Sequence, residues 1–237
     1  MKISVIVPIH NLENEIINAL ESIYNQNFEK SEYEILAIFD SCTDKSEEVV
    51  KEWYKNRNVN LIFLYTNCLS PGGARNIGLD NAKGEYVIFV DGDDNLVNDE
   101  AFNIIDNAIK DHNAVRVIDH EINGNHIKFS NRLTLWLHIF RRDLIGNDRF
   151  TNIMVNEDFE FVKRIKTKNG YNEAIIDIPL YCYNYNNERM IQKIRAARSM
   201  DYKRKKDGLA TLYVSDEFRG KRETKHAISS NKQDIWC

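Results

Sequence analysis

The sequence predicts an α/β domain with a mostly parallel central sheet, and three observations carry that prediction. Ile3 to Ile9 is a near-continuous apolar run, as expected of a strand covered on both faces. Ile16, Ile17, Leu20, Ile23 and Tyr24 follow at three-and-four spacing, which paints one face of a helix, and Tyr33 to Phe39 then reads as a second strand. The same alternation continues as far as Asp91, which implies right-handed crossovers and helices on both faces of the sheet.

Asp44 with Glu47 three residues later looks like a capped helix start, Val49, Val50 and Trp53 supply its buried face, and Leu61 to Tyr65 gives a third strand. Gly72 and Gly73 open another short helix before the strand Tyr86 to Val90. Beyond Asp94 the pattern changes. A helix is expected around Asp99 to Lys110, then strand-like runs at Ala114 to Glu121 and Asn125 to Phe129. Asn123-Gly124 between them is a hairpin signal, so the second half should add a small antiparallel portion. Asn156-Glu157-Asp158 before Phe159, Phe161, Val162 and Ile165 reads as an acidic cap and first helical turn. Ile175 to Tyr185 is a further strand, a basic helix should run on from Asn187, and Arg219 to Lys232 is polar enough for a flexible tail.

At 237 residues, 43% hydrophobic and 29% charged, the chain has the make-up of one globular domain. No apolar run approaches the ~20 residues that cross a bilayer. Met1-Lys2-Ile3 leads straight into a strand, so no secretory signal is expected. Cys42, Cys68, Cys182 and Cys237 lack any CxxC pairing, which argues against a zinc site and a disulfide framework and for a reducing, cytoplasmic compartment. The net charge of −4 excludes a globally cationic nucleic-acid binder. Basic residues nevertheless gather late, from Arg189 to Lys206 and from Arg219 to Lys225, which is either a solvated face and tail or a surface for phosphates, anionic lipid or nucleic acid.

In open sheets of this kind ligands bind outside the carboxyl ends of the strands. Pro8 to Asn11, Asp40, and Asp91-Gly92-Asp93-Asp94 all occupy such ends, so three polar clusters distant in sequence should share one crevice. A buried strand that delivers three carboxylates into a loop suits Mg²⁺ or Mn²⁺, which take oxygen ligands and often serve a nucleotide diphosphate. The plainer reading is an acidic turn.

Together these stretches resemble the family 2 glycosyltransferases of the GT-A (Rossmann-like) fold. The matching pieces are Val5-Ile6-Val7-Pro8-Ile9-His10-Asn11, Phe39-Asp40-Ser41-Cys42-Thr43-Asp44-Lys45-Ser46, Gly73-Ala74-Arg75-Asn76-Ile77-Gly78, Ala82-Lys83-Gly84-Glu85-Tyr86, the DxD stretch Asp91-Gly92-Asp93-Asp94, and Asn156-Glu157-Asp158. The resemblance, which covers about Ile3 to Tyr185, implies one domain over residues 1–186, with a nucleotide-binding half at about 1–98 and an acceptor half at about 99–186; the charge pattern adds a basic helical extension at 187–218 and a flexible tail at 219–237.

It also implies roles. Asp40 would accept the base N3–H of a uridine nucleotide, Pro8, His10 and Asn11 would pass beneath base and ribose, and Arg75 would offer a charged fork to nucleotide or diphosphate. Asp91 and Gly92 would lie near the ribose, with Asp93 the principal ligand of Mg²⁺ or Mn²⁺ and Asp94 its support. Asp158 would be the general base, with Glu157 orienting the acceptor or the loop, so that a single displacement inverts the anomeric centre.

Each role has a duller competitor: turn or cap for Asp40 and Asp44, helix surface for Arg75, a structural loop histidine for His10, and capping for Asp158. Phe39 stands where the family often has an aspartate, which puts the base contacts in doubt. Gln192-Lys193-Ile194-Arg195 is followed by Ala196 rather than Trp, which departs from the processive members. The implied activity is metal-dependent transfer of one sugar, or very few, from a UDP-sugar (or a thymidine counterpart) to a glycan, lipid-linked or other hydroxyl acceptor, with peripheral contact to an anionic membrane. Transfer to a hydroxylated base in nucleic acid, and a non-catalytic nucleotide-sugar binding module, are the alternatives.

Overall fold

A computed structural model describes residues 1–128, 133–151 and 156–186. The basic extension and tail expected from 187 onward lie outside the described residues, as does Cys237. The first half forms β1 (Ile3–Ile9), α1 (Ile16–Tyr24), β2 (Tyr33–Asp40), α2 (Ser46–Tyr54), β3 (Asn60–Thr66), α3 (Pro71–Asn81) and β4 (Tyr86–Phe89). The second half adds β5 (Asn95–Leu96), α4 (Ala101–Ala108), β6 (Ala114–Val117), β7 (Asp119–Ile122), β8 (Asn125–Lys128), β9 (His138–Arg141), α5 (Arg142–Ile145), α6 (Glu157–Lys166), β10 (Glu173–Ile176) and β11 (Tyr181–Tyr183).

Among the described residues these make a seven-stranded sheet in the order β10-β6-β9-β4-β1-β2-β3 and a four-stranded sheet in the order β5-β11-β7-β8. The run β4, β1, β2, β3 is parallel throughout. Alternation along β1 explains the two layers of helix. Val5, Val7 and Ile9 pack with Ile16, Leu20 and Ile23 of α1, Val50 of α2 and Phe102 of α4 on one face. Ile6, with Leu36 and Ile38 of β2, meets Ala74 and Leu79 of α3 and Phe161, Val162 and Ile165 of α6 on the other. Gly78 of α3 must be glycine here, because a Cβ would stand 2.6 Å from Ile6 Cγ2.

An aromatic cluster fixes α6 to the sheet. Phe161 stacks on Phe150 at 4.0 Å and meets Phe89 and Phe140 edge-on. Truncating a ring buried this completely costs about 3–5 kcal/mol, so Phe161 anchors the helix that carries Asp158.

Three local expectations are corrected, and one strand, β9, has no counterpart in the sequence reading. The run Ala114 to Glu121 is two strands, since Ile118 donates its N–H to Ile176 O and the chain then leaves the large sheet for the small one. Ile175 to Tyr185 likewise splits, because Pro179 has no N–H to continue a ladder and its carbonyl is taken by Asn98. β9 enters antiparallel between β4 and β6, an insertion with no short-range signal. At α2 the cap position is Lys45, and Asp44 accepts from Ser46 N and Glu13 N, so it ties two loops rather than capping by the expected pattern. The Asn-Gly hairpin is present, with Asn123 at φ 49° and Gly124 at φ 77°, the left-handed pair that such a tight turn requires.

Candidate active site

The crevice is assembled from the exits of β1 to β4 and the start of α6. At the first of these, β1 pairs with β4 only as far as Ile6, and Pro8 lies beyond that point with Ile38 of β2 as its remaining partner. Pro8 can therefore sit in a central strand without breaking a two-sided ladder. His10 Nδ1 donates to Asp40 O at 2.6 Å, and Asn11, at φ 54°, accepts Thr43 N at 2.8 Å. His10 and Asn11 thus tie the β1 and β2 exits together.

Asp40 is 4% exposed. Its two carboxylate oxygens accept Leu69 N and Ser70 N, each at 2.9 Å, and so hold the loop before α3 in place. Leu69 there adopts φ 51°, a left-handed conformation that costs a non-glycine residue about 1 kcal/mol. Ser41 and Asn156 share that conformation at φ 52° and φ 66°, so backbone strain collects around the same mouth.

The DxD loop is pinned from below. Gly92 fits because its Cα faces inward: a Cβ would lie 2.7 Å from Leu12 Cδ1 and 3.0 Å from Pro8 O. Asp94, expected to support a metal ion, instead turns inward and is 1% exposed. Tyr181 Oη donates to its Oδ2 at 2.7 Å, and Asn184 N donates to its Oδ1 at 2.8 Å. Burial, with Asp91 and Asp93 adding repulsion, pushes its carboxyl up to about 8. Asp93 stays half-exposed beside an open polar cavity of about 480 Å³ between Glu15 and Asn18 on one side and Asn95 and Asn184 on the other.

The resemblance casts Arg75 as a charged fork near nucleotide or diphosphate, and the plainer reading puts it on the helix surface. It is buried, and both arms are engaged: Nη2 donates to Asp91 Oδ1 at 2.7 Å and Nη1 to Glu157 Oε1 at 2.9 Å. It thereby links the DxD loop to α6. Asn156 precedes α6, and Glu157, 6% exposed, points back into the protein. Asp158 is half-exposed. Burial raises its carboxyl above the ordinary range, Arg75 opposes the rise, and Asp91 adds to it, which places Asp158 in the same electrostatic group as both.

Contacts tie Pro8 to Gly92, His10 to Asp40 and Arg75 to Asp91 around the exits of β1, β2 and β4, with Asn11 bridging to Thr43, Asp158 next to the Arg75-bound Glu157, and Asp93 lining the open cavity. Sequence reasoning missed Tyr181, Asn184 and the Leu69-Ser70 amides. The alternating polar residues of Tyr181-Cys182-Tyr183-Asn184 were the available signal for the first two. Among the described residues no group of three or more His, Cys, Asp or Glu side chains is arranged to hold a metal ion by itself.

A family model described as "Glycosyl transferase family 2" matches residues 4–168. The chain belongs to that family. The TarS poly(ribitol-phosphate) beta-N-acetylglucosaminyltransferase of Staphylococcus aureus is 42% identical over 94 residues, which is 40% of this chain but only 16% of that protein. An uncharacterized glycosyltransferase of Haemophilus influenzae is 30% identical over 177 residues, covering 67% of this chain and 69% of the relative. The crystal structure of S. aureus TarS 1-349 in complex with UDP-GlcNAc superposes with a TM-score of 0.70 at 27% identity, over 79% of this chain and 59% of that one. The family 2 chain thus has the GT-A architecture, with its mostly parallel central sheet, and among its described residues no helix is long and apolar enough to cross a membrane.

Proposed function

We propose that this family 2 chain transfers a sugar from a UDP-sugar to an acceptor hydroxyl, with inversion at the anomeric carbon. One observation carries the reading: Asp158, a partly buried carboxyl in the first turn of α6, adjoins Glu157, which Arg75 ties to Asp91 at the end of a central strand, and burial raises its pKa. A carboxylate so placed can take the proton of an attacking hydroxyl, which contributes ~10²–10⁴-fold to rate. Glu157 is held by Arg75, which leaves Asp158 as the base of the pair. One base on one face of the sugar fits a single in-line displacement. The UDP-GlcNAc in the TarS crystal structure favours a uridine donor, and the TarS name favours a glycan acceptor rich in polyol phosphate.

A divalent cation fits the donor set, which is carboxylate oxygen only. Asp93 would hold it, with Asp91 nearby but already paired to Arg75; an ion of this kind is commonly held by one or two carboxylates together with substrate phosphates. When bound, it would stabilise charge on the departing diphosphate as a Lewis acid. Pro8, His10, Asn11 and the loop held by Asp40 would border the nucleoside.

The test is a nucleotide-sugar panel with Mg²⁺ or Mn²⁺, read as UDP release and product configuration, with Asp158→Asn alongside. Wild type should turn over one donor, and Asp158→Asn should bind UDP normally while losing ~10²–10⁴-fold in kcat. Because the Asp158 pKa is raised, turnover should fall with acid above the ordinary carboxylate range. UDP binding with no turnover of any donor would point to a binding module instead. Undiminished turnover by Asp158→Asn would remove the base from that residue.

A further inference from the structure

We infer that Arg75 and Glu157 are a positioning pair that sets the catalytic base against the donor loop, and that Arg75 does not bind the donor diphosphate itself. The inference rests on the reading of Asp158 as the base. Its own support is geometric. The Arg75 side chain is 7% exposed and that of Glu157 8%, and each terminal nitrogen of the guanidinium already has a carboxylate partner, Glu157 at 2.9 Å and Asp91 at 2.7 Å. The guanidinium carbon also lies 5.7 Å from the centre of the Phe150 ring, so the fork is held from the side as well.

Glu157 is packed on one side by the first turn of α3. A Cβ on Gly72 would stand 3.1 Å from Glu157 Cγ and 3.0 Å from Phe150 Cβ, so the first turn of α3 lies directly against it. α3 therefore receives Glu157 through Gly72 and clamps it through Arg75. The same arginine grips Asp91, at the mouth of β4. One planar side chain thereby sets the separation between the loop that carries Asp93 and the helix that carries Asp158. Lysine cannot substitute, because a single ammonium point charge lacks the fixed two-armed fork that meets both carboxylates in one geometry. A displacement of about 1 Å between reacting groups can cost ~10²-fold in rate, so loosening this clamp should act on turnover rather than on nucleotide affinity.

Arg75→Lys, Glu157→Gln and the double variant should be compared with wild type and Asp158→Asn. Two readouts are needed: kcat with the preferred donor, and affinity for uridine, UMP and UDP in the presence of Mn²⁺. Each single variant should lower kcat about 10²-fold, leave the preference for UDP over uridine unchanged, and be no worse when combined, since both break one unit. If Arg75 served the diphosphate, Arg75→Lys would weaken UDP selectively, leave uridine alone, and act independently of Glu157→Gln. That result overturns the inference. Gly72→Ala covers the case in which loss of a buried charge prevents folding, because it presses on Glu157 without changing any charge. It too should lower kcat with UDP affinity retained, and unchanged kcat would count against the clamp. Full kcat in Arg75→Lys and Glu157→Gln, with Asp158→Asn inactive, would sink this inference and leave the proposed function standing. A wild-type chain that turns over no donor would remove both.

Discussion

Tyr181→Phe removes a single oxygen, and the structure allows its effect to be worked out. The hydroxyl donates to Asp94 Oδ2 at 2.7 Å and accepts Asp91 N at 3.1 Å, in surroundings where Tyr181 is 2% exposed and Asp94 1%. Its ring stacks on Trp136 at 4.9 Å, and phenylalanine keeps that contact, so packing does not confound the result. Removal takes the acceptor from a part-buried amide, at about 1–3 kcal/mol, and a donor from a buried carboxyl, where the loss is about 1 kcal/mol when the acid can protonate. The sum is about 2–4 kcal/mol, or roughly 5–15 °C in Tm for a domain of this size.

The loss should depend on pH. Asp94 has its pKa raised from 3.8 to about 8, and the Tyr181 bond holds it down, so the variant's pKa rises further. A carboxyl with a raised folded pKa opposes folding increasingly as pH climbs from the unfolded value to the folded one. Urea unfolding should therefore show a larger difference between variant and wild type at pH 8 than at pH 5. A difference within about 0.5 kcal/mol of zero at pH 8 would refute the view that this hydroxyl pins the DxD loop.

Two further perturbations test other contacts. Gly92→Ala should destabilise the protein by about 1–3 kcal/mol and weaken Mn²⁺-dependent UDP binding, because its methyl group meets Leu12 Cδ1 and the carbonyl of Pro8, which cannot move without shifting β1; isothermal titration and thermal melts read both effects. At the far edge of the sheet, burial resists charge on Glu173, yet hydrogen bonds from Lys166 and Tyr171 outweigh it and hold its pKa down from 4.5 to about 2. A depressed carboxyl contributes its stability above the unfolded value and loses it as pH falls through the folded one, so Glu173→Gln should flatten the loss of stability between about pH 4.5 and pH 2 in acid unfolding curves.

The sequence by itself determined the layered α/β plan, because alternation along a strand and three-and-four spacing along a helix are local signals of which face is buried. Val5, Val7 and Ile9 against Ile6, and Ile16 with Leu20 and Ile23, pack as that pattern requires. It also placed Asp40 and Asp91 at strand ends, and the Asn123-Gly124 turn, since turn chemistry is local as well. Segments whose partners lie elsewhere were not legible. β9 slips in between β4 and β6 on four residues, and the runs around Ile118 and Pro179 divide between two sheets according to which neighbour takes their backbone groups.

The site divides along the same line. The acidic residues of the DxD loop and of the Glu157-Asp158 pair are neighbours in sequence and chemically alike, so nothing local distinguishes the member that faces the crevice from the member that faces the core. Tertiary structure decides it, through Tyr181 and Asn184, which draw Asp94 inward and leave Asp93 at the opening, and through Arg75, which holds Glu157 and leaves Asp158. Those partners lie far away along the chain, and only the closed fold brings them within hydrogen-bonding distance.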